Sequence, residues 1–131
     1  MASLPNYYLI TSSTLFSIPV LYGIYRGHRL LPILSILSAG ASIRYWIDPT
    51  NKSLQMTDKL ISRTSGIVYT LYGLLTITTP QKKMIFWIDI ILMLSTYHRS
   101  CVLYNGPHHE VWIPYHMMFH YFCMLSQLLV L

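Results

Sequence analysis

The chain has 131 residues, of which 53% are hydrophobic and only 10% are charged, with a net charge of +5. A water-soluble domain carries about 25% charged residues to cover its surface, so the composition argues against one and for a membrane protein. Nine Lys and Arg against four acids form no basic run, which excludes a nucleic-acid-binding stripe and leaves membrane topology as the meaning of the excess charge.

Five apolar stretches follow in order. The first runs from Tyr7 to Tyr25 and ends at the polar turn Arg26-Gly27-His28-Arg29. Met1-Ala2-Ser3-Leu4-Pro5-Asn6 before it has no basic flank and no small-residue cleavage site, so it is expected to serve as its own insertion signal. The second runs from about Leu30 to Ile47 and stops at Asp48-Pro49-Thr50-Asn51, a strong turn signal. The third is expected from near Thr57-Asp58 to Thr79-Pro80, where Gln81-Lys82-Lys83 turns the chain again. The fourth runs from about Met84 to Tyr97 or a little beyond, and Asn105-Gly106-Pro107 breaks it. The fifth begins at Trp112-Ile113-Pro114 and runs to Leu131. Pro114 suits a first helical turn, where its missing N–H is not needed.

The runs lack period-two alternation, and only helices or a closed barrel satisfy the backbone in lipid. The expected fold is all-α, a single integral membrane helical bundle over residues 1–131 with about five transmembrane helices, or four if one segment lies at the interface. Short connections make sequential helices antiparallel neighbours. Arg26 and Arg29 in the first connection, with Lys82 and Lys83 in the third, place those loops in the cytoplasm, the N-terminus out and the C-terminus in. Trp46, Trp112, Tyr97 and Tyr104 fall at span ends, where Tyr and Trp favour the interface. Cys101 and Cys123 make no disulfide framework and read as buried thiols.

Antiparallel threading gathers most ionisable and hydroxyl groups at the outer end: Ser42, Arg44, Asp48, Asp58, Arg63, His98, His108, His109, Glu110, His116 and His120. His116 and His120 stand at i and i+4, one face of a helix, about 6 Å apart. Two imidazoles so placed bind one metal ion if a third ligand comes from elsewhere, His98 or His108 or His109; otherwise they are interhelical hydrogen-bonders. Asp58 is either the cap of the third helix or a base that orients water. Ser42 either bonds its own helix backbone or joins the site. Arg44 and Arg63 are expected to pair with Asp48, Asp58 or Glu110. Asp89 stands apart nearer the inner side, with Thr76, Thr78, Thr79 or Arg29 as expected partners.

Ser42, then Asp58, then His116-x-x-x-His120 form an ordered set that resembles the CREST superfamily of membrane hydrolases, which includes the alkaline ceramidases and adiponectin-receptor-like proteins. The resemblance implies a seven-helix bundle with zinc held by three histidines, His116 and His120 as two of them, Asp58 orienting a water and Ser42 stabilising an oxyanion. Trp46 stands where the first zinc histidine would be, one turn after Ser42, and the chain is about two helices short. Two functions are therefore carried forward. The favoured one is a multi-pass membrane protein that packs against itself or other membrane proteins in the lipid bilayer, without catalysis. The alternative is a zinc-dependent amide or ester hydrolase acting on a lipid substrate. A channel lacks a repeated pore motif.

Overall fold

The computed structural model describes residues 6–107 and 111–131. Among these every regular element is helical. Helix α1 (Tyr7–Ser13), a 3-10 turn (Thr14–Phe16) and α2 (Ser17–Tyr25) make one rod of 19 residues. The 3-10 turn just precedes Pro19, whose ring crowds the carbonyl four residues back and which has no N–H to give the helix. Asn6 caps α1 by accepting from the Leu9 N–H at 3.2 Å. The Asn6 N–H donates to the Trp46 carbonyl at 2.8 Å, which ties the start of α1 to the end of α3 (Leu30–Ile47). Between α2 and α3 the chain reverses at Gly27, whose φ of 83° is disfavoured for any side chain.

Helices α4 (Lys52–Thr76), α5 (Pro80–Tyr104) and α6 (Trp112–Val130) complete the bundle. The first rod, α3 and the start of α6 lie where the apolar pattern puts them. α4 begins a turn and a half earlier than expected. Asn51 is its N-cap, accepting from the Ser53 and Leu54 N–H groups at 3.0 and 3.2 Å. The helix was hidden there because Lys52 to Asp58 is polar. α5 likewise starts at Pro80 in place of Met84 and continues through His98-Arg99-Ser100 to Tyr104. At 25 residues each, α4 and α5 are about 37 Å long, more than the ~30 Å hydrocarbon core of a bilayer.

The helix latest in sequence is the central one. α6 packs on α1, α2, α4 and α5, while α3 packs on α1, α2 and α4. α3–α4 and α5–α6 are neighbours as sequence order suggests. α5 lies along α6 and meets α4 near their connection, where Phe86 fills the space over Gly73.

Buried apolar side chains form two clusters, one at each end. Leu31, Tyr69, Ile77, Phe86, Ile90, Val130 and Leu131 close one end, and Leu9, Tyr45, Trp46, Leu103 and Trp112 the other. Outside these clusters Phe16 and Met124 are buried too, and the rest of the buried side chains are largely polar. Ser12, Ser13, Ser35, Ser38, Ser42, Ser65, Thr96, Ser100, His120, Ser126 and Gln127 are all buried. The outside is apolar: Leu60, Ile67, Leu71 and Leu75 on α4, and Ile85, Trp87, Ile88, Ile91 and Leu94 on α5, are all exposed. Two rods, Tyr7–Tyr25 and Leu30–Ile47, are long and apolar enough to cross a membrane.

Candidate functional site

The end of α3, the start of α4, the end of α5 and the start of α6 converge at one end of the bundle, joined by the start of α1. Ser42 is on the inward stripe of α3 with Ser35 and Ser38, spaced three and four residues apart. Its hydroxyl does not turn back to its own helix. It donates to Asp58 Oδ1 of α4 at 2.5 Å. Ser62, one turn further along α4, donates to the same oxygen at 3.3 Å. Asp58 is therefore not a helix cap, because Asn51 fills that role seven residues earlier. It is an interhelical acceptor with two hydroxyl donors.

His116 and His120 share one face of α6, with ring centroids 4.8 Å apart. Each ring is held at Nδ1 by a serine on a different helix. His120 Nδ1 is 2.7 Å from Ser12 Oγ of α1. His116 Nδ1 is 3.4 Å from Ser100 Oγ of α5. The Ser100 hydroxyl proton goes to the Tyr97 carbonyl at 2.8 Å, so the His116 ring is the donor in its bond to Ser100. In the neutral imidazole this leaves the free lone pair on Nε2. Ser12 and Ser100 were not singled out in the sequence. A serine in an apolar run bonds its own backbone by default, and 108 positions separate Ser12 from His120.

Trp46 decides what the histidine pair can do. Its ring centroid is 5.5 Å from that of His116. Trp112, Phe119 and Tyr97 stand at 5.8, 5.5 and 6.4 Å from the same ring. His116 is thus boxed by four aromatic rings, one of them at the position where the CREST pattern has a zinc ligand. An indole cannot ligate zinc, and its buried Nε1 has no hydrogen-bond partner among the described residues. His98 is exposed on α5. His108, the other candidate third ligand, lies outside the described residues, as do His109 and Glu110. Among the described residues no three His, Cys, Asp or Glu side chains group to hold a metal ion. Zinc sites take at least three protein ligands, and the described residues supply two, so they do not fit zinc.

A cavity of about 70 Å³ lies against this cluster, lined by Ser38, Ser42, Ser62, Ser65 and His120 among others. It spans from α4 to α5, which approach each other above it through Arg63 and the Tyr97 hydroxyl and below it through Gly73 and Phe86. The space accommodates about two waters at ~30 Å³ each. The inward polar faces continue below it, where Ser38 donates to Ser65 at 2.7 Å and Ser35 donates to Gln127 Oε1 at 2.8 Å. Tyr69 donates to the Leu31 carbonyl at 2.8 Å.

No family model, curated protein or solved structure matches the chain.

The expected ion pairs do not form among the described residues. Arg44 and Arg63 are both exposed, and Arg63 reaches the Tyr97 hydroxyl of α5 in place of an acid. A long side chain at an exposed position carries its charge outward and needs no buried counter-charge. Asp89 is buried on α5 with its Oδ2 unpartnered. It lies within electrostatic reach of Cys123 on α6, and bonds none of Thr76, Thr78, Thr79 or Arg29.

Proposed function

We propose that the chain is a small multi-pass integral membrane protein that works by packing, against itself or other membrane proteins, and not by catalysis. The observation that carries this reading is the inverted distribution of side chains. Hydroxyl and amide groups are buried and hydrogen-bonded between helices, while Leu, Ile and Trp cover the outside of α4 and α5. Water would drive such a surface inward. Lipid rewards it, since helix contact there rests on small residues and interhelical hydrogen bonds. The serine partners of Asp58, His116 and His120 have the character of such glue. The basic residues Arg26, Arg29, Lys82 and Lys83 share one end, which this reading places in the cytoplasm, with the N-terminus outside.

The test is accessibility in sealed vesicles. With Cys101 and Cys123 replaced by Ser and Ala, single cysteines at Thr50 and Gln81 should react with an impermeant maleimide from opposite sides. Labelling of both from one side would overturn the five-span arrangement.

A second reading has one observation in its favour. Ser42 and His120 line a single cavity, and Ser42 donates to Asp58 behind it, an arrangement in keeping with a CREST-type hydrolase. In that reading Ser42 and Asp58 act on a lipid amide or ester and Trp46 marks the lost ligand position. The reading depends on a third ligand, which the described residues do not supply.

A further inference from the structure

The end of the bundle opposite the histidines carries a second cavity, of about 270 Å³, where α2, α4, α5 and α6 all end or begin. Arg26, His28, Tyr72, Thr78, Thr79 and Lys82 contribute to its lining, and no Asp or Glu does. Its donors are unspent. Among the described residues the Arg26 guanidinium, the Lys82 ammonium and the hydroxyls of Tyr72, Thr78 and Thr79 have no hydrogen-bond partner. Thr79 is the N-cap of α5 but its side chain makes no capping bond, and the helix opens with Pro80. The N–H groups of Gln81 and Lys82 in that first turn therefore have no partner within the helix. His28 is occupied on one side, its Nε2 lying 3.3 Å from the Leu131 main-chain oxygen. Arg26 and Lys82 bring two full positive charges to the lining with no acidic side chain beside them, which leaves the cavity net positive.

From this geometry we infer a site for the phosphate headgroup of an anionic glycerophospholipid. A fork of guanidinium donors, a lysine point charge and free hydroxyls match phosphate oxygens, and basic pockets between helix ends on the cytoplasmic side bind anionic headgroups. The cavity has room for a glycerol phosphate group, about nine waters' worth at ~30 Å³ each. The surroundings favour a lipid over a free phosphate compound. Ile77 and Val130 add apolar side chains to the lining, and Tyr25, Leu75 and Met84, one or two residues in sequence from lining residues, are 85%, 83% and 59% exposed, apolar surface that suits acyl chains. The phosphate chemistry stands independently. The lipid source rests on the membrane reading above.

The full chain, purified in a neutral detergent, should retain phosphatidic acid in native mass spectrometry and release phosphatidylcholine. Lys82→Gln and Arg26→Gln, both at exposed positions, should each weaken phosphatidic acid binding about fivefold. Lys83→Gln removes the same charge from a residue that does not line the cavity and should leave binding within about twofold. Glycerol 3-phosphate should not displace the lipid. Equal losses in Lys82→Gln and Lys83→Gln would show diffuse surface attraction and overturn the site. Equal retention of phosphatidylcholine would do the same, and displacement by glycerol 3-phosphate would overturn the lipid assignment. Alkaline carbonate extraction of the same membranes reports separately on whether the chain is integral, so the two readings fail independently.

Discussion

Gly73 offers the sharpest quantitative test of how the helices meet. A Cβ at this position would lie 2.7 Å from Phe86 Cζ and 2.9 Å from Val130 Cγ2, where carbon atoms rest at about 3.5–4.0 Å. Neither neighbour has room to retreat, since Phe86 is 2% and Val130 6% exposed. Overpacking of this kind costs ~1–3 kcal/mol. Gly66 is on the same helix, and a Cβ there meets nothing within 4 Å. Both Gly→Ala changes gain about 0.8–1.0 kcal/mol of helix propensity, so propensity cancels when the two variants are compared. The Gly73→Ala protein should then be ~1–3 kcal/mol less stable than Gly66→Ala, roughly a 5- to 150-fold difference in the unfolding equilibrium. Reversible unfolding in mixed micelles with increasing dodecyl sulfate, followed by tryptophan fluorescence, measures it. Phe86→Leu shortens the ring and should recover part of the loss in the Gly73→Ala background. Equal stability of the two alanine variants would show that α4, α5 and α6 do not converge at Gly73.

Three further outcomes follow from the site. In a double-mutant cycle, Ser42→Ala and Asp58→Ala should couple by about 1–2 kcal/mol, since both remove one hydrogen bond; additive effects would mean the two side chains do not meet. Ser12→Ala should cost ~1–3 kcal/mol by stranding the buried His120 Nδ1, whereas Thr11→Ala, at an exposed neighbour, should stay within ~0.5 kcal/mol; similar losses would remove the Ser12–His120 bond from the account. Trp46→His places a third imidazole beside His116, and the purified variant should hold zinc that the parent protein does not. Stoichiometric zinc in the parent, lost in His116→Ala, would overturn the packing-only reading.

The bounds of the first rod and of α3 were legible because both ends of each carry turn chemistry, Arg26-Gly27-His28-Arg29 and Asp48-Pro49. The start of α4 and the end of α5 were not. Apolar patterning reports the apolar stretch of a helix, not where its hydrogen bonds stop, and Lys52 to Asp58 and His98 to Tyr104 continue as helix beyond that stretch. The face shared by Ser42, Asp58, His116 and His120 followed from antiparallel threading. Their individual partners did not, because Ser12 and Ser100 are ordinary residues whose roles depend on the helix opposite. Trp46 was read twice, as an interfacial aromatic and as a replaced ligand. The structure adds that it packs against His116 itself. Arg63 was assigned an acid on charge alone, while its neighbour across the helix gap is a tyrosine.

The central position of α6 sets an order of assembly. During synthesis every partner of α6 is made before it is. Until it arrives, Ser12 and Ser35 face a gap where His120 and Gln127 will sit, and Phe86 has no Val130 to pack against. The earlier helices can associate only provisionally, held by α3 against the first rod and α4. The bundle locks when its final segment slots into a groove already lined with hydroxyls. A chain halted before Trp112 would leave that groove uncovered, a polar seam with nothing packed over it.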